Sequence, residues 1–171
     1  MTLSKENSTE EKVKELFGNS TQSYKLVHFA THGFVMDGNA DLSAVILNQT
    51  PATKEDGYLT ANEIESLKIP ADIVVLSACQ TGKGMIVSGE GVQGLSSSFF
   101  VAGANALIVS MWSVSDNSTQ IFMQKIYEMV KKENTTFKDA VGKIKKRFLA
   151  GEFGKEYQKP YYWAPFIYIG N

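Results

Sequence analysis

The 171-residue sequence contains one cysteine, Cys79. No internal disulfide can form, so a reducing, cytoplasmic compartment is the expectation. Histidine is almost as scarce, with His28 and His32 alone. With Cys79 as the obvious third they only just reach the three or four ligands a metal site needs, and His28 is more readily a satisfied core or sheet-facing residue, so no metal and no cofactor is expected. Excess charge of one sign is missing too. Seventeen basic residues against eighteen acidic ones leave a formal charge of −1, which gives no field for nucleic acid or an anionic membrane. No apolar run is long enough to span a bilayer, and the polar start MTLSKENSTEEK is not an export signal. Without an export route, Asn-x-Thr triplets such as those at Asn7, Asn117 and Asn134 are read as chance.

What remains has the composition of a soluble globular chain, 43% hydrophobic and 20% charged, and is long enough for one domain with a real core. Residues 1–9 are polar and expected to be loosely held, with the domain over residues 10–171. Glu10 to Phe17 reads as a short helix stopped by Gly18. Tyr24 to Thr31 reads as a strand, followed by a polar loop from His32 to Asp41 and another strand over Leu42 to Leu47. Thr60-Ala61-Asn62-Glu63 is a capping-box pattern that predicts a helix over Ala61 to Leu67. A glycine-rich loop is expected from Gly82 to Gly89 and a helix from Val92 to Ala102. Ala106 to Trp112 reads as a buried strand. A long helix follows to about Lys132, capped by Ser115 or Asp116, then another over Thr136 to Leu149, and a last strand over Pro165 to Ile169. Alternating strands and helices predict an α/β fold with a mainly parallel sheet.

The organising stretch is Val74-Val75-Leu76-Ser77-Ala78-Cys79-Gln80-Thr81-Gly82. An apolar run without alternation is the mark of a strand buried on both faces of a parallel sheet. Sites in open α/β sheets lie beyond the carboxyl ends of the strands, which puts Cys79 at the lip of the sheet. The strand of Tyr24 to Thr31 breaks in the same way at His32-Gly33. If the two strands are parallel neighbours, imidazole and thiol emerge on one edge. A lone cysteine is commonly a small core residue. Here the end of the strand pattern, the matching histidine and the glycine after it favour a nucleophile, which needs a nearby imidazole and amides for the oxyanion. His28, four residues before His32, shares its face if the strand is unbroken, and is read as a satisfied core or sheet-facing residue.

HFATHGF (His28 to Phe34), VVLSACQTG (Val74 to Gly82), GEGVQGLSSSFFVAGANALIVSMWSVSD (Gly89 to Asp116) and PYYWAPFIYIG (Pro160 to Gly170) resemble, in order, the signature segments of CHAT domains, relatives of caspases and separase among the clan CD cysteine peptidases. The resemblance implies a caspase-like α/β/α sandwich and a cysteine endopeptidase acting on a protein or peptide substrate, in a bacterial signalling or defence system. It assigns Cys79 as nucleophile and His32 as general acid and base, with the backbone N–H groups of Gly33 and Cys79 as oxyanion hole. Trp112 to Asp116 is similar to the separase segment whose aspartate receives a basic P1 residue. Asp116 therefore has two readings, helix cap or substrate pocket, and Trp112 is either a pocket wall or core. Family members carry a further strand and helix before the histidine strand, where this chain has one short helix. The fold is thus expected to lack its first strand and helix, with a partner chain supplying that part or a regulatory repeat domain. Two rival readings are a catalytically silent CHAT-like interaction module and, on the G-x-G-x-x-G pattern of Gly89 to Gly94, a nucleotide-binding α/β domain. A dinucleotide fingerprint would begin where the strand ends, and this one begins ten residues past Cys79.

Overall fold

The computed structural model describes residues 2–36, 39–51, 53–77 and 89–170. In chain order the elements are α1 (Glu10–Phe17), β1 (Val27–Phe29), β2 (Gly33–Phe34), β3 (Ala44–Ile46), β4 (Tyr58–Thr60), α2 (Ala61–Glu65), β5 (Val74–Leu76), α3 (Gly89–Val101), β6 (Ala106–Ser110), α4 (Asp116–Glu133), α5 (Phe137–Leu149) and β7 (Phe166–Gly170). The main sheet has the order β1-β5-β6-β7. β1, β5 and β6 are parallel, with His28 opposite Val75 and Val75 opposite Ile108, while β7 runs antiparallel to β6. The neighbouring, parallel histidine and cysteine strands are therefore as expected.

Side chains alternate along each strand, and the two faces of the sheet carry separate cores. Phe29, Val74, Leu76, Leu107 and Val109 pack with Val13 and Phe17 of α1, Ile64 of α2 and Leu95 and Phe99 of α3. Ile73, Val75, Ala106, Ile108 and Phe166 pack with Phe122 and Ile126 of α4 and Val141, Ile144 and Phe148 of α5. The result is an α/β/α sandwich with a mainly parallel sheet. Fully burying an aliphatic or aromatic side chain contributes about 1.5–3 kcal/mol. The two inner strands, β5 and β6, are buried throughout, so their positions are set more strongly than those of the edge strands β1 and β7.

Side-chain caps place the helices. Thr60 and Glu63 form the full capping box of α2, and Thr136 caps α5 by accepting from Asp139 N. On α1, Lys14 Nζ lies 2.6 Å from Glu10 Oε1 and 2.8 Å from both Glu55 Oε2 and Glu63 Oε1, tying the helix to the loop before β4 and to α2. Burial works to lower the Lys14 pKa, but the three carboxylates outweigh it and push the ammonium above the ordinary lysine range. Among the described residues these three glutamates are the cluster with metal-binding geometry, and the Lys14 ammonium already occupies its centre.

Three local expectations are corrected. The stretch from His32 to Asp41 is not all loop: Gly33 and Phe34 form β2, which with β3 and β4 builds a second, antiparallel sheet. A two-residue strand has no periodicity to read; it exists because Val45 and Ala44 are brought opposite it. The strand read for Tyr24 to Thr31 is regular only over Val27–Phe29, with an isolated bridge from Tyr24 to Ala71. α3 starts at Gly89, so the glycine pattern of Gly89 to Gly94 lies within its first turns and not in a phosphate-cradling loop. The rest of the loop expected before it, up to residue 88, lies outside the described residues. So does Cys79.

Candidate active site

The carboxyl ends of β1, β5 and β6 open, on the side covered by α4, into a cavity of about 510 Å³. The alternation of the strands decides which residues reach it. His28, Val75 and Ile108 are aligned across the sheet, so Ser77 and Ser110, each two residues on, share their face. His28, Ser77 and Ser110 all line the cavity. His32 lines it from the turn after β1, Trp112 and Val114 from the turn after β6, and Asp116, Gln120, Gln124 and Tyr127 from α4. The spacing i, i+4, i+8 of the first three α4 residues keeps them on one helix face.

His32 is exposed within this wall, and its backbone is fixed by the second sheet: Ile46 N donates to His32 O at 2.7 Å. Thr31 Oγ1 donates to Ile46 O at 2.5 Å. In an antiparallel ladder successive residues turn their backbone groups to opposite sides. With His32 bonded to β3, the N–H of buried Gly33 points away from it. The small sheet thus presents His32 to the cavity and aims the Gly33 amide elsewhere than into a ladder.

Trp112 is half-buried in the cavity wall, with Nε1 donating to Tyr161 O at 3.1 Å. Tyr161 OH donates in return to Ser113 O at 2.9 Å, and Ser110 Oγ donates to Trp112 O at 2.6 Å. These bonds pin the turn between β6 and α4. Its helix cap is Ser115, whose Oγ accepts from Ser118 N. Asp116 is therefore not the cap. It stands exposed in the first helical turn and borders the cavity. A carboxylate there gains about 0.3–1 kcal/mol from the helix dipole. It is also the one formally charged side chain among the described residues lining the cavity.

His28 has a part that its sequence position does not reveal. Its Nε2 is 2.8 Å from Ser77 Oγ and its Nδ1 2.9 Å from Tyr127 OH, so both ring nitrogens are bonded. Burial lowers its pKa from 6.5 to about 4, and the ring is neutral at physiological pH. Burial likewise raises the Tyr127 phenol. A neutral imidazole offers one donor and one acceptor, and either hydroxyl can complement either nitrogen. Breaking one such buried bond costs about 1–3 kcal/mol through the group left unpaired. Ser77, Tyr127, Gln120 and Gln124 are cavity residues that sequence reasoning missed. No signal in the sequence set the α4 residues apart, since Asp116, Gln120 and Gln124 continue to Glu128 as an exposed polar stripe like that of any amphipathic helix.

The family model described as CHAT domain matches residues 1–171. Among curated proteins, the Homo sapiens protein named Tetratricopeptide repeat protein 28 is 29% identical over 113 residues, which is 66% of this chain and 4% of that protein. The Mus musculus protein of the same name is 26% identical over 140 residues, 80% of this chain and 5% of that protein. The chain thus spans only a small fraction of the length of these relatives. No helix among the described residues is long and apolar enough to cross a membrane.

Proposed function

The chain belongs to the CHAT domain family, and from that premise we propose that the cavity is the substrate groove of a cysteine endopeptidase, with Cys79 as nucleophile and His32 as general acid and base. The observation that carries the reading is that His32, Trp112 and Asp116 border one cavity together with Ser77. Cys79 follows Ser77 by two residues, and two residues of chain reach at most about 7 Å.

The Cys79 thiolate attacks the scissile carbonyl carbon, and the carbonyl electron pair moves onto oxygen. The N–H groups of Gly33 and Cys79 receive that oxyanion. When the tetrahedral adduct collapses, the C–N bond breaks and the His32 imidazolium gives its proton to the leaving amine. Water then attacks the thioester carbon as His32 takes its proton, the C–S bond breaks with its electron pair on sulfur, and the carboxylic product leaves with the Cys79 thiolate and His32 imidazolium restored. Asp116 accepts charge-assisted hydrogen bonds from an Arg or Lys at P1, whose stem lies along Trp112. Two features support a basic P1: Asp116 is the formal charge of the described lining, and Ser115 takes the capping role that would otherwise account for an aspartate there. The names of the relatives support a setting beside tetratricopeptide repeats, as a regulatory domain or partner. The bacterial signalling or defence setting rests on the resemblance alone.

A peptide library profiled for P1 tests the reading. Cleavage is expected to vanish in Cys79→Ala and His32→Ala. In Asp116→Asn, basic P1 substrates are expected to lose about 10- to 100-fold in kcat/KM, as a charge-assisted bond of about 1.5–3 kcal/mol implies, while apolar ones are unchanged. Equal cleavage of basic P1 substrates by wild type and Asp116→Asn removes the pocket assignment. No cleavage of any peptide, with a Cys79 thiol no more reactive than in His32→Ala, leaves the silent interaction module as the reading.

A further inference from the structure

The cavity contains a second histidine for which the proposed reaction has no use. His28, Ser77 and Tyr127 come from β1, the end of β5 and α4, and all three border the cavity. The contacts run Ser77 Oγ to Nε2 at 2.8 Å and Nδ1 to Tyr127 OH at 2.9 Å, with the two rings edge to face at 5.8 Å. In outline this is a serine, an imidazole and a third group orienting it, the pattern of a hydrolytic triad. Two properties argue against a second nucleophile. An imidazole that burial holds near pKa 4 is a weak base at neutral pH. Tyr127, whose phenol burial keeps protonated, supplies no negative charge to an imidazolium.

What the array does is hold three elements in one geometry. Among the described residues, the last backbone bond from the end of β5 to β1, Ser77 N to Phe29 O, is long at 3.4 Å. The 2.8 Å contact with His28 is therefore the tighter tie on the end of β5. Tyr127 lies on the same α4 wall as Asp116, Gln120 and Gln124. We propose that His28 is a positioning residue: by bridging Ser77 and Tyr127 it sets the end of β5, from which the chain continues to Cys79, against the α4 wall of the substrate groove. The inference rests on the endopeptidase reading and adds to it a device that aligns the strand end leading to the nucleophile with the specificity wall.

Cys79 is the sole cysteine, so its alkylation by iodoacetamide can be followed by intact mass without ambiguity. Rate constants are measured from about pH 5 to about 9, a range that spans thiol ionisation, in wild type, His28→Leu, His28→Gln, Tyr127→Phe, Ser77→Ala and His32→Ala. His28→Leu is expected to lower the rate constant at neutral pH by about tenfold and to move the thiol inflection upward, because small misplacements at a reacting pair cost about this much or more. His28→Gln, whose amide can still reach Ser77, recovers part of the loss. Ser77→Ala reproduces the effect, and adding it to His28→Leu changes little further, as members of one network do not add. Tyr127→Phe removes a single oxygen and gives the same direction of change in a protein that keeps its packing, should His28→Leu fold poorly. A lower melting temperature with a pH profile superposed on wild type in every His28, Ser77 and Tyr127 variant overturns the inference, since a purely structural tie leaves the thiol unchanged. If His32→Ala still alters the profile in that case, the dyad stands and the positioning inference alone falls. If His32→Ala alters nothing either, both fall.

Discussion

Replacing His28 by glutamine removes from the cavity wall a titrating group that burial holds neutral, and the consequence is readable as stability against pH. The folded-state pKa lies at about 4 against an ordinary 6.5. At about 1.4 kcal/mol per tenfold, that interval corresponds to about 3 kcal/mol, a substantial part of the about 5–15 kcal/mol total stability of a domain. The sign follows from which state binds the proton. Above pH 6.5 the imidazole is neutral in both states and nothing is lost. As pH falls below 6.5 the unfolded chain takes up the proton and the folded one does not, so stability drops until the folded pKa near 4 is reached. Glutamine does not titrate, and it loses the Tyr127 bond at a cost of about 1–3 kcal/mol. The two curves should therefore converge or cross: wild type more stable at neutral pH, and the variant equal or ahead at about pH 4. Burial raises the Glu10 carboxyl, which acts in the opposite sense, its stability lost as pH rises through the folded value. Lys14 and Thr60 outweigh burial at Glu63 and lower it, so its contribution is lost as pH falls. Both are common to the two proteins and cancel in the difference. Urea unfolding from neutral pH to about 4 checks this, with a relative shift in midpoint on the order of 1 M at ordinary slopes. Parallel loss of stability in wild type and variant would refute the account of His28 as a buried, neutral ring.

The Lys14 cluster gives a second expectation. Glu10 is 1% exposed, whereas Glu55 and Glu63 are each 36% exposed, so most of the cost of Lys14→Met falls on stranding Glu10, at about 3–5 kcal/mol for a broken buried pair. Glu10→Gln in the same chain should restore more than half of it in a denaturant titration; no restoration would place the cost elsewhere. At Gly170, φ is +146° and an added Cβ would come within 2.8 Å of Ala106 Cβ. Gly170→Ala should cost about 1–3 kcal/mol through strain and a forced shift of β7 against β6, measurable as a lower melting temperature, and an unchanged value would contradict the tight fit of the two strands. Phe122, fully buried and stacked on Phe166 at 4.3 Å, should lose about 3–5 kcal/mol on replacement by alanine. A loss below about 1 kcal/mol would mean that α4 can collapse onto the sheet without it.

What the sequence determined by itself follows from burial. A strand covered on both faces must be apolar without interruption, so Val74 to Leu76 and Ala106 to Val109 announce β5 and β6. The spacing of Phe137, Val141, Ile144 and Phe148 likewise gives the inner face of α5, and Thr60 with Glu63 marks the start of α2. The end of the β5 pattern and the end of the strand pattern of Tyr24 to Thr31 also mark Cys79 and His32 as candidates before any fold is known. Tertiary structure decided the rest, because the remaining signals are local in chemistry but not in partner. Gly33 and Phe34 are a strand only in the presence of Val45 and Ala44, and that pairing is what anchors His32. Asp116 could cap or line a cavity from one and the same position, until the Ser115 hydroxyl takes the cap. Alternation puts His28 and Ser77 on one face of the sheet, but the hydroxyl that completes the imidazole arrives on α4, ninety-nine residues along the chain. A polar partner that far away leaves no periodic trace in the sequence, since it is chosen by the packing of a helix against a sheet.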